Sequence, residues 1–181
     1  YHGRTNLTMA LTAKNMPYKQ GFGPFAGEIY RMPMAYPLRW PGGPEAAGTD
    51  ALSTVKALIH AQVGEENVAA VIIEPIQGEG GFIVPPPGFL AGLADFCAEH
   101  RIVYSADEIQ TGFCRTGSWF ACEHEGVSPD LMCVAKGITG GYLPLAATFA
   151  TQHIFDAFLG EPWEGKTFYH SHTYTGNPLA C

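Results

Sequence analysis

The feature that most constrains the fold is a continuous apolar run rich in β-branched residues, Val68-Ala-Ala-Val-Ile-Ile73. A run of this kind, with no alternating polar positions, is typical of a strand buried on both faces of a parallel sheet. Two shorter apolar runs follow it along the chain, Ile102 to Ala106 and Leu131 to Ala135. The sequence therefore predicts three short strands in a largely buried sheet.

Helical spacing of apolar residues appears on both sides of the first strand. It extends from Asp50 to Val63, with Thr49 or Asp50 as the N-cap, and from Phe89 to His100. Leu145 to Ala150 is predicted to be a further strand, and Thr151 to Leu159 a short helix. Strands that alternate with helices and loops in this order predict an α/β fold, with a mainly parallel sheet flanked by helices.

Residues 15 to 48 are rich in proline, glycine and aromatic residues. Aromatic side chains such as Phe22, Tyr30 and Trp40 need apolar surface to pack against. We therefore expect an ordered excursion here rather than a flexible linker.

Composition narrows the functional classes. The net charge is −7 and no basic cluster occurs, which argues against nucleic acid as a partner. No apolar run is long enough to span a bilayer, so no membrane association is expected. The five cysteines are odd in number and never spaced C-x-x-C, which predicts free, mostly buried thiols in a reducing cytoplasm. His170 and His172 have no cysteine or carboxylate at ligand spacing, so no metal site is expected.

Three of the predicted strands are followed by residues that can carry chemistry: Glu74, Asp107 and Lys136. Ligands of open α/β sheets bind beyond the carboxyl ends of the strands, so we expect these residues on one rim. Among the five lysines, Lys136 alone directly follows an apolar strand. Burial there would disfavour the charged ammonium and lower the pKa of the lysine. A lysine that forms an imine needs such a lowered pKa.

A lysine that forms an imine with an aldehyde cofactor needs a set of partners for the cofactor's pyridine ring. A buried carboxylate must keep the ring nitrogen protonated, and Asp107 fits this role. Tyr1 and Ile109 suit the two faces of the ring, Gln110 suits its phenolic oxygen, and Thr173 suits the phosphate.

Other interpretations of the same residues remain open from the pattern alone. Lys136 at a strand end can extend to solvent, and strand-end carboxylates often cap nearby loops or helices. Glu74, Glu79, Asp107 and Glu108 could also supply paired carboxylates for glycoside hydrolysis. That hypothesis leaves Lys136 unexplained, and no aromatic-rich sugar platform is evident.

Five motifs in register resemble those of the class III pyridoxal-phosphate aminotransferases. They are Tyr1-His-Gly-Arg-Thr, Ile73-Glu-Pro-Ile-Gln-Gly-Glu-Gly-Gly, Ala106-Asp-Glu-Ile-Gln-Thr-Gly-Phe-Cys-Arg-Thr-Gly, Ala135-Lys-Gly and Thr173-Tyr-Thr-Gly-Asn-Pro-Leu-Ala-Cys. The resemblance covers essentially the whole chain and implies the three-layer large domain of fold type I. It also implies that residues 1–181 are part of this PLP-binding domain, without the N-terminal segment and the C-terminal small domain.

The resemblance assigns roles position by position. Lys136 would form the internal aldimine with pyridoxal 5'-phosphate and then move the substrate proton. Asp107 would pair with the pyridinium nitrogen and Gln110 with the phenolic oxygen. Tyr1 and Ile109 would lie on opposite faces of the ring. His2 is a further cofactor-binding position, and Thr173 would bind the phosphate of the neighbouring subunit, which implies a homodimer.

The resemblance also bears on the substrate. Up to about Phe120 the chain is most similar to the 4-aminobutyrate branch of the family, in which the Arg4 position binds the distal carboxylate of an ω-amino acid. The Glu79 position there pairs with a C-terminal arginine, and leaves it when a 2-oxo diacid such as 2-oxoglutarate binds. The last forty or so residues resemble the biotin-pathway branch that makes 7,8-diaminopelargonate. Arg4 favours the first branch, and the alternatives are another class III ω-aminotransferase or an excerpt inactive on its own.

Overall fold

The computed structural model describes residues 1–181, and its strands form one four-stranded sheet in the order β1-β2-β3-β4. β1 (Ala70–Ile73), β2 (Val103–Asp107) and β3 (Leu131–Val134) run parallel to one another. β4 (Ala147–Ala150) pairs with β3 in the antiparallel sense. The predicted α/β fold with a mainly parallel sheet is confirmed.

The α-helices are α1 (Asn6–Leu11), α2 (Ala47–Gln62), α3 (Phe89–His100) and α4 (Gln152–Asp156). Short 3₁₀ turns lie at Pro37–Arg39, Glu65–Asn67, Ala121–Glu125, Lys136–Ile138 and Pro162–Glu164.

The start of α2 differs from the prediction. The helix begins at Ala47, after Ala46, whose side chain offers no capping hydrogen bond. Thr49 and Asp50 therefore lie within the first turn, and neither is the N-cap. α1 was not predicted, because its six residues are too few to show a helical period, but Thr5 and Thr8 form a capping box at its start.

The hydrophobic core lies between the sheet and the helices α2 and α3. Val55 and Ile59 of α2 pack with Phe89 and Phe96 of α3 and with Tyr104 of β2 in one buried cluster. The spacing that predicted the helices thus corresponds to the face that each buries.

The sheet register decides which strand residues face this core. Ile73, Ala106 and Met132 are register partners across the three parallel strands, and all three contact the core cluster. Successive strand residues point to opposite faces, so Asp107 and its partner Cys133 lie on the face away from the core helices. Asp107 is also the last residue of β2, which puts it at the carboxyl rim of the sheet.

Two predicted strands are less buried than expected. β1 starts at Ala70 rather than Val68, and its residues are half-buried or exposed. β1 is an edge strand, so one of its sides has no neighbouring strand to cover it. Leu131 to Cys133 of β3 are also only half-buried. A continuous apolar run predicts a strand but does not reveal whether both of its faces are covered.

The segment of residues 15 to 48 only partly meets the expectation of packed aromatics. Met32, Met34 and Trp40 pack against the core cluster, whereas Phe22 is 59% exposed and Tyr30 is 44% exposed.

All five cysteines are free thiols, but only Cys97 and Cys122 are buried, which corrects the expectation of mostly buried thiols.

None of the helices combines the length and the apolar character that a membrane crossing would need. No three His, Cys, Asp or Glu side chains converge as metal ligands.

Candidate active site

Asp107 is a buried carboxylate, 4% exposed, at the end of β2. Its Oδ2 lies 2.7 Å from Nδ1 of His2, and its Oδ1 accepts a hydrogen bond of 3.2 Å from the backbone N–H of Ile109. A carboxylate offers about four lone pairs, so these two contacts leave Asp107 able to accept a further donor. The sheet thus presents an oriented anion at its carboxyl rim.

Glu74, at the end of β1, organises the backbone around Asp107. It is 8% exposed, and it accepts hydrogen bonds from the backbone nitrogens of Tyr1, at 3.0 Å, and Gly78, at 3.2 Å. These two contacts fix the segment that carries His2 and the loop after β1. Glu74 therefore serves as a cap for neighbouring backbone, one of the alternatives that the sequence left open.

Lys136 follows the carboxyl end of β3, which is the neighbour of β2 in the sheet. Its φ of +42° lies in the left-handed region, a conformation that costs energy for a residue with a side chain and often marks a functional site. Its Nζ donates a hydrogen bond to Oε1 of Gln110. Since Gln110 comes three residues after Asp107, the loop after β2 connects the carboxylate with the amine.

The expected burial of Lys136 is wrong for this chain, because its side chain is exposed. The buried lysine is Lys19, which is 8% exposed and donates to the carbonyl of Thr12 at 2.9 Å. Burial lowers the pKa of Lys19, with a smaller effect from the Arg31 charge. The strand before Lys136 ends at the rim, so the lysine extends beyond the packed layer rather than into it.

Two glycines allow the loops of this rim to approach one another. A Cβ at Gly137 would lie 2.9 Å from Cβ of Phe113 and 3.3 Å from the carbonyl oxygen of Gly112. A Cβ at Gly78 would lie 3.0 Å from Cγ of Gln110. Side chains at these positions would push the Gln110 loop away from Lys136 or from the loop after β1.

A second cluster forms around Arg4. Its guanidinium carbon lies 5.8 Å from the ring centroid of Tyr1 and 5.5 Å from that of Tyr18, within the range of cation–π attraction. The two tyrosine rings contact each other, with centroids 4.7 Å apart and planes inclined by 54°. The hydroxyl of Tyr18 donates a hydrogen bond to Oε2 of Glu79. Arg4 and Glu79, both predicted to bind substrate, are thus joined through Tyr18.

Tyr18 is the residue of this cluster that the sequence did not single out. It lies within the proline- and glycine-rich segment of residues 15 to 48, where no periodicity or motif distinguishes one aromatic residue from another.

The side chains of two further candidates make no hydrogen bond to Asp107, Gln110 or Lys136. Thr173 is exposed, in a turn near the end of the chain, and makes no hydrogen bond to the residues above. Glu108 is fully buried and accepts from Oγ1 of Thr111 and from the backbone nitrogens of Ala121, at 3.0 Å, and Cys122, at 2.8 Å. Its oxygens are thus engaged with protein donors, which argues against a role beside Asp107 in glycoside hydrolysis.

Comparisons with known proteins point to one family. The sequence profile described as aminotransferase class-III matches residues 1–181. The chain is 56% identical over 184 residues to 4-aminobutyrate aminotransferase of Mycobacterium leprae, and the match covers 100% of this chain and 40% of that protein. It is 46% identical over 185 residues to adenosylmethionine-8-amino-7-oxononanoate aminotransferase of Geobacter sulfurreducens, again covering 100% of the chain and 40% of the relative.

A solved structure gives the same result. The fold matches an amine transaminase from an uncultivated Pseudomonas species, crystallised in the PLP-bound internal aldimine form, with a TM-score of 0.93 and 34% identity. That match covers 100% of this chain and 41% of the crystallised one. The chain therefore spans about 40% of the length of the curated relatives that it matches. Its sequence over residues 1–181 and its fold show that the chain belongs to the class III aminotransferase family.

Proposed function

We propose that the protein to which this chain belongs is a pyridoxal-phosphate-dependent ω-aminotransferase. It moves the terminal amino group of an ω-amino acid such as 4-aminobutyrate to a 2-oxo acid such as 2-oxoglutarate. The observation that carries the proposal is the placement of buried Asp107 and of Lys136 at the carboxyl ends of adjacent parallel strands, β2 and β3. One carboxylate and one primary amine at a shared rim are what an aldehyde-bearing pyridine cofactor requires.

The residues of the rim fit pyridoxal phosphate. When bound, this cofactor supplies an aldehyde for the amine and a protonated ring that draws electrons from the substrate carbon. Asp107 has accepting capacity left for the ring N–H, and its contacts with His2 and with the Ile109 backbone hold it in place. Gln110, which contacts Lys136, is the proposed partner of the phenolic oxygen.

Three further residues are proposed to complete the cofactor site. Tyr1 and Ile109 offer an aromatic and an aliphatic side chain for the two faces of the ring. Thr173 is exposed and makes no hydrogen bond to the rim residues, which is compatible with binding the phosphate of a neighbouring subunit in a homodimer.

Lys136 is the proposed acid–base residue. Lys136 is exposed beyond the carboxyl end of β3, and its Nζ donates one hydrogen bond to Gln110. An amine at this position would take the proton from the substrate carbon and return it on the cofactor side. The 3₁₀ turn Lys136–Ile138 and the close approach of the Phe113 loop to Gly137 constrain the backbone of this residue.

Arg4 is the proposed receptor for the distal carboxylate of the substrate. Its guanidinium takes part in no ion pair of the structure, since the four ion pairs involve other residues. The rings of Tyr1 and Tyr18 contact the guanidinium of Arg4 without using its N–H donors. Two of these N–H groups therefore remain available to bind a carboxylate side by side.

Production of 7,8-diaminopelargonate is the second candidate reaction. The 46% identity to the aminotransferase of Geobacter sulfurreducens supports it. The unpaired Arg4 favours an ω-amino acid that carries a distal carboxylate. The third possibility is that residues 1–181 alone are inactive because parts of the site lie outside them.

An amine-donor panel on the full-length protein tests the proposal. We expect turnover with 4-aminobutyrate and 2-oxoglutarate, and its loss in Lys136→Ala. Borohydride reduction in the presence of pyridoxal phosphate should fix the cofactor mass to the peptide that contains Lys136 and not to the one that contains buried Lys19. Near-normal turnover in Lys136→Ala, or a label on Lys19, would contradict the proposed role.

Arg4→Ala separates the substrate candidates. The variant should lose activity with 4-aminobutyrate and retain it with an amine that lacks a carboxylate, such as butylamine. Equal losses with both amines would remove the reason for preferring the ω-amino acid. Repeating the borohydride experiment on residues 1–181 alone decides whether this part binds the cofactor without the rest.

A further inference from the structure

The segment that carries His2 lies outside every helix and strand, and no hydrogen bond between backbone groups involves residues 1 to 3. The N–H of His2 donates instead to Oγ1 of Thr12, at 3.0 Å. The imidazole of the same residue contacts Asp107, with 2.7 Å between Nδ1 and Oδ2. The hydroxyl of Thr12 is therefore the contact that fixes the main chain of His2 itself.

Thr12 is well placed to hold another residue, because its own position is strongly constrained. It is the C-cap of α1 and is 1% exposed. Its N–H and its Oγ1 both donate to the carbonyl of Thr8, at 3.0 and 2.9 Å. Its carbonyl accepts a hydrogen bond of 2.9 Å from Nζ of the buried Lys19. Every polar group of Thr12 is thus engaged, and its hydroxyl offers the His2 N–H an acceptor of fixed direction.

A close approach at Gly3 keeps the same segment against α1. Gly3 has a φ of +124°, and a Cβ there would lie 2.9 Å from Oγ1 of Thr8. Thr8 is itself held by the capping box that it forms with Thr5. The helix α1 thus supports the chain around His2 from one side, while the imidazole contacts Asp107 on the other.

We propose that Thr12 is a positioning residue of the cofactor site, which holds the main chain of His2 so that the imidazole stays on Asp107. The inference rests on the proposed function, in which Asp107 pairs with the pyridine nitrogen. Without the hydroxyl the His2 N–H loses its acceptor, and the imidazole orients the carboxylate less well. A carboxylate that is already oriented loses less freedom when the cofactor binds, so the loss of Thr12 should lower cofactor affinity.

The substitution Thr12→Val in the full-length protein removes the hydroxyl and keeps the shape of the side chain. We expect the dissociation constant of pyridoxal phosphate, measured by equilibrium dialysis, to rise about fivefold, the size of one lost hydrogen bond. In the cofactor-free protein, the amide hydrogen of His2 should exchange with solvent faster than in the wild type. Thr12→Ser keeps the hydroxyl, so both quantities should return close to their wild-type values.

Thr49→Val is the matched control. Its Oγ1 also donates to a backbone carbonyl three residues earlier, that of Ala46 at 3.2 Å, at the start of α2. No hydrogen bond joins Thr49 to His2 or Asp107, so neither the dissociation constant nor the exchange of the His2 amide should change.

The double variant His2→Ala/Thr12→Val tests the cause. Without the imidazole, Thr12 no longer holds any group on Asp107. Adding Thr12→Val to His2→Ala should therefore change the dissociation constant by less than about twofold. A general loss of structure would give the same increase of about fivefold whether or not the imidazole is present.

Three outcomes would overturn the inference: an unchanged dissociation constant in Thr12→Val, no recovery in Thr12→Ser, or the full effect of Thr12→Val on top of His2→Ala. Should Thr12→Val not fold, Thr12→Ala removes the same hydroxyl and replaces it in each comparison. Failure of the proposed function is distinguishable, because the wild-type protein would then not bind pyridoxal phosphate. Normal wild-type binding with any of the three outcomes refutes the role of Thr12 alone.

Discussion

Nδ1 of His2 lies 2.7 Å from Oδ2 of Asp107, across 105 positions of sequence. Both side chains are largely buried, with 12% of His2 and 5% of Asp107 exposed. The contact joins the first residues of the chain to the end of β2. It orients the carboxylate on which the proposed cofactor site depends.

His2→Ala should weaken pyridoxal phosphate binding about tenfold, the size expected for a lost hydrogen bond to a buried charged group. The released carboxylate would then sample other orientations. Dialysis of the full-length protein against decreasing cofactor measures the effect. His60→Ala is the control, since Nδ1 of His60 lies 3.1 Å from Oε1 of Glu65 but is 78% exposed. A comparable loss in both variants would contradict the role of His2.

Asp107→Asn should lower kcat by roughly a hundredfold or more, the scale of removing one preorganised electrostatic contact. The amide keeps the size of the side chain but carries no charge to retain a proton on a pyridine nitrogen. Turnover of the full-length protein with 4-aminobutyrate provides the measurement, and Asp95→Asn on the exposed side of α3 is the control. A decrease in kcat of less than tenfold would contradict the pairing of Asp107 with the pyridine nitrogen.

Glu108→Gln should destabilise the fold by about 2–3 kcal/mol, because the amide NH₂ group would face backbone donors in a buried site. The carboxylate now accepts from the backbone nitrogens of Ala121 and Cys122. The midpoint of urea unfolding, compared with that of Glu123→Gln, measures the change, since Glu123 lies exposed in the same turn. An unchanged midpoint together with lost turnover would show instead that Glu108 acts in catalysis.

The thiols should differ strongly in reactivity. Burial raises the pKa of Cys97 and of Cys122 to about 12, so at pH 8 only about one molecule in ten thousand carries the reactive thiolate at either position. Cys114 and Cys181 are exposed. Iodoacetamide followed by peptide mass spectrometry should therefore label Cys114 and Cys181 first. Early labelling of Cys97 in the folded protein would show that its surroundings open readily.

The pKa values of these buried thiols also predict a direction for alkaline stability. Cys97 and Cys122 remain protonated in the folded protein between their ordinary pKa of about 9 and about 12, whereas the unfolded chain ionises there. The folded state thus binds more protons, so stability falls as the pH rises through this range.

Local periodicity predicted some elements closely. α3 spans Phe89–His100 as expected, and β2 is displaced from its prediction by one residue at each end. Both elements contribute heavily to the core, so their apolar pattern directly reflects what they bury. The exposure of β1 could not be predicted from its apolar pattern, because it depends on which strands lie beside it.

The site shows the same division. The positions of Asp107 and Lys136 after adjacent strands followed from the pattern of apolar runs and from the topology of parallel sheets. The contact of Tyr18 with Glu79 could not be predicted from the sequence, because 61 positions separate the two residues and neither lies in a periodic segment.

The sequence by itself determined the alternation of strands and helices, the rim where the charged residues gather, and the family to which the chain belongs. The tertiary structure alone decided that Lys19 is the buried lysine and Lys136 the exposed one. It also decided that Arg4 stays unpaired beside two tyrosines. The physical reason is that burial and pairing of a side chain depend on segments distant in sequence, whereas the strand and helix patterns depend on neighbouring residues.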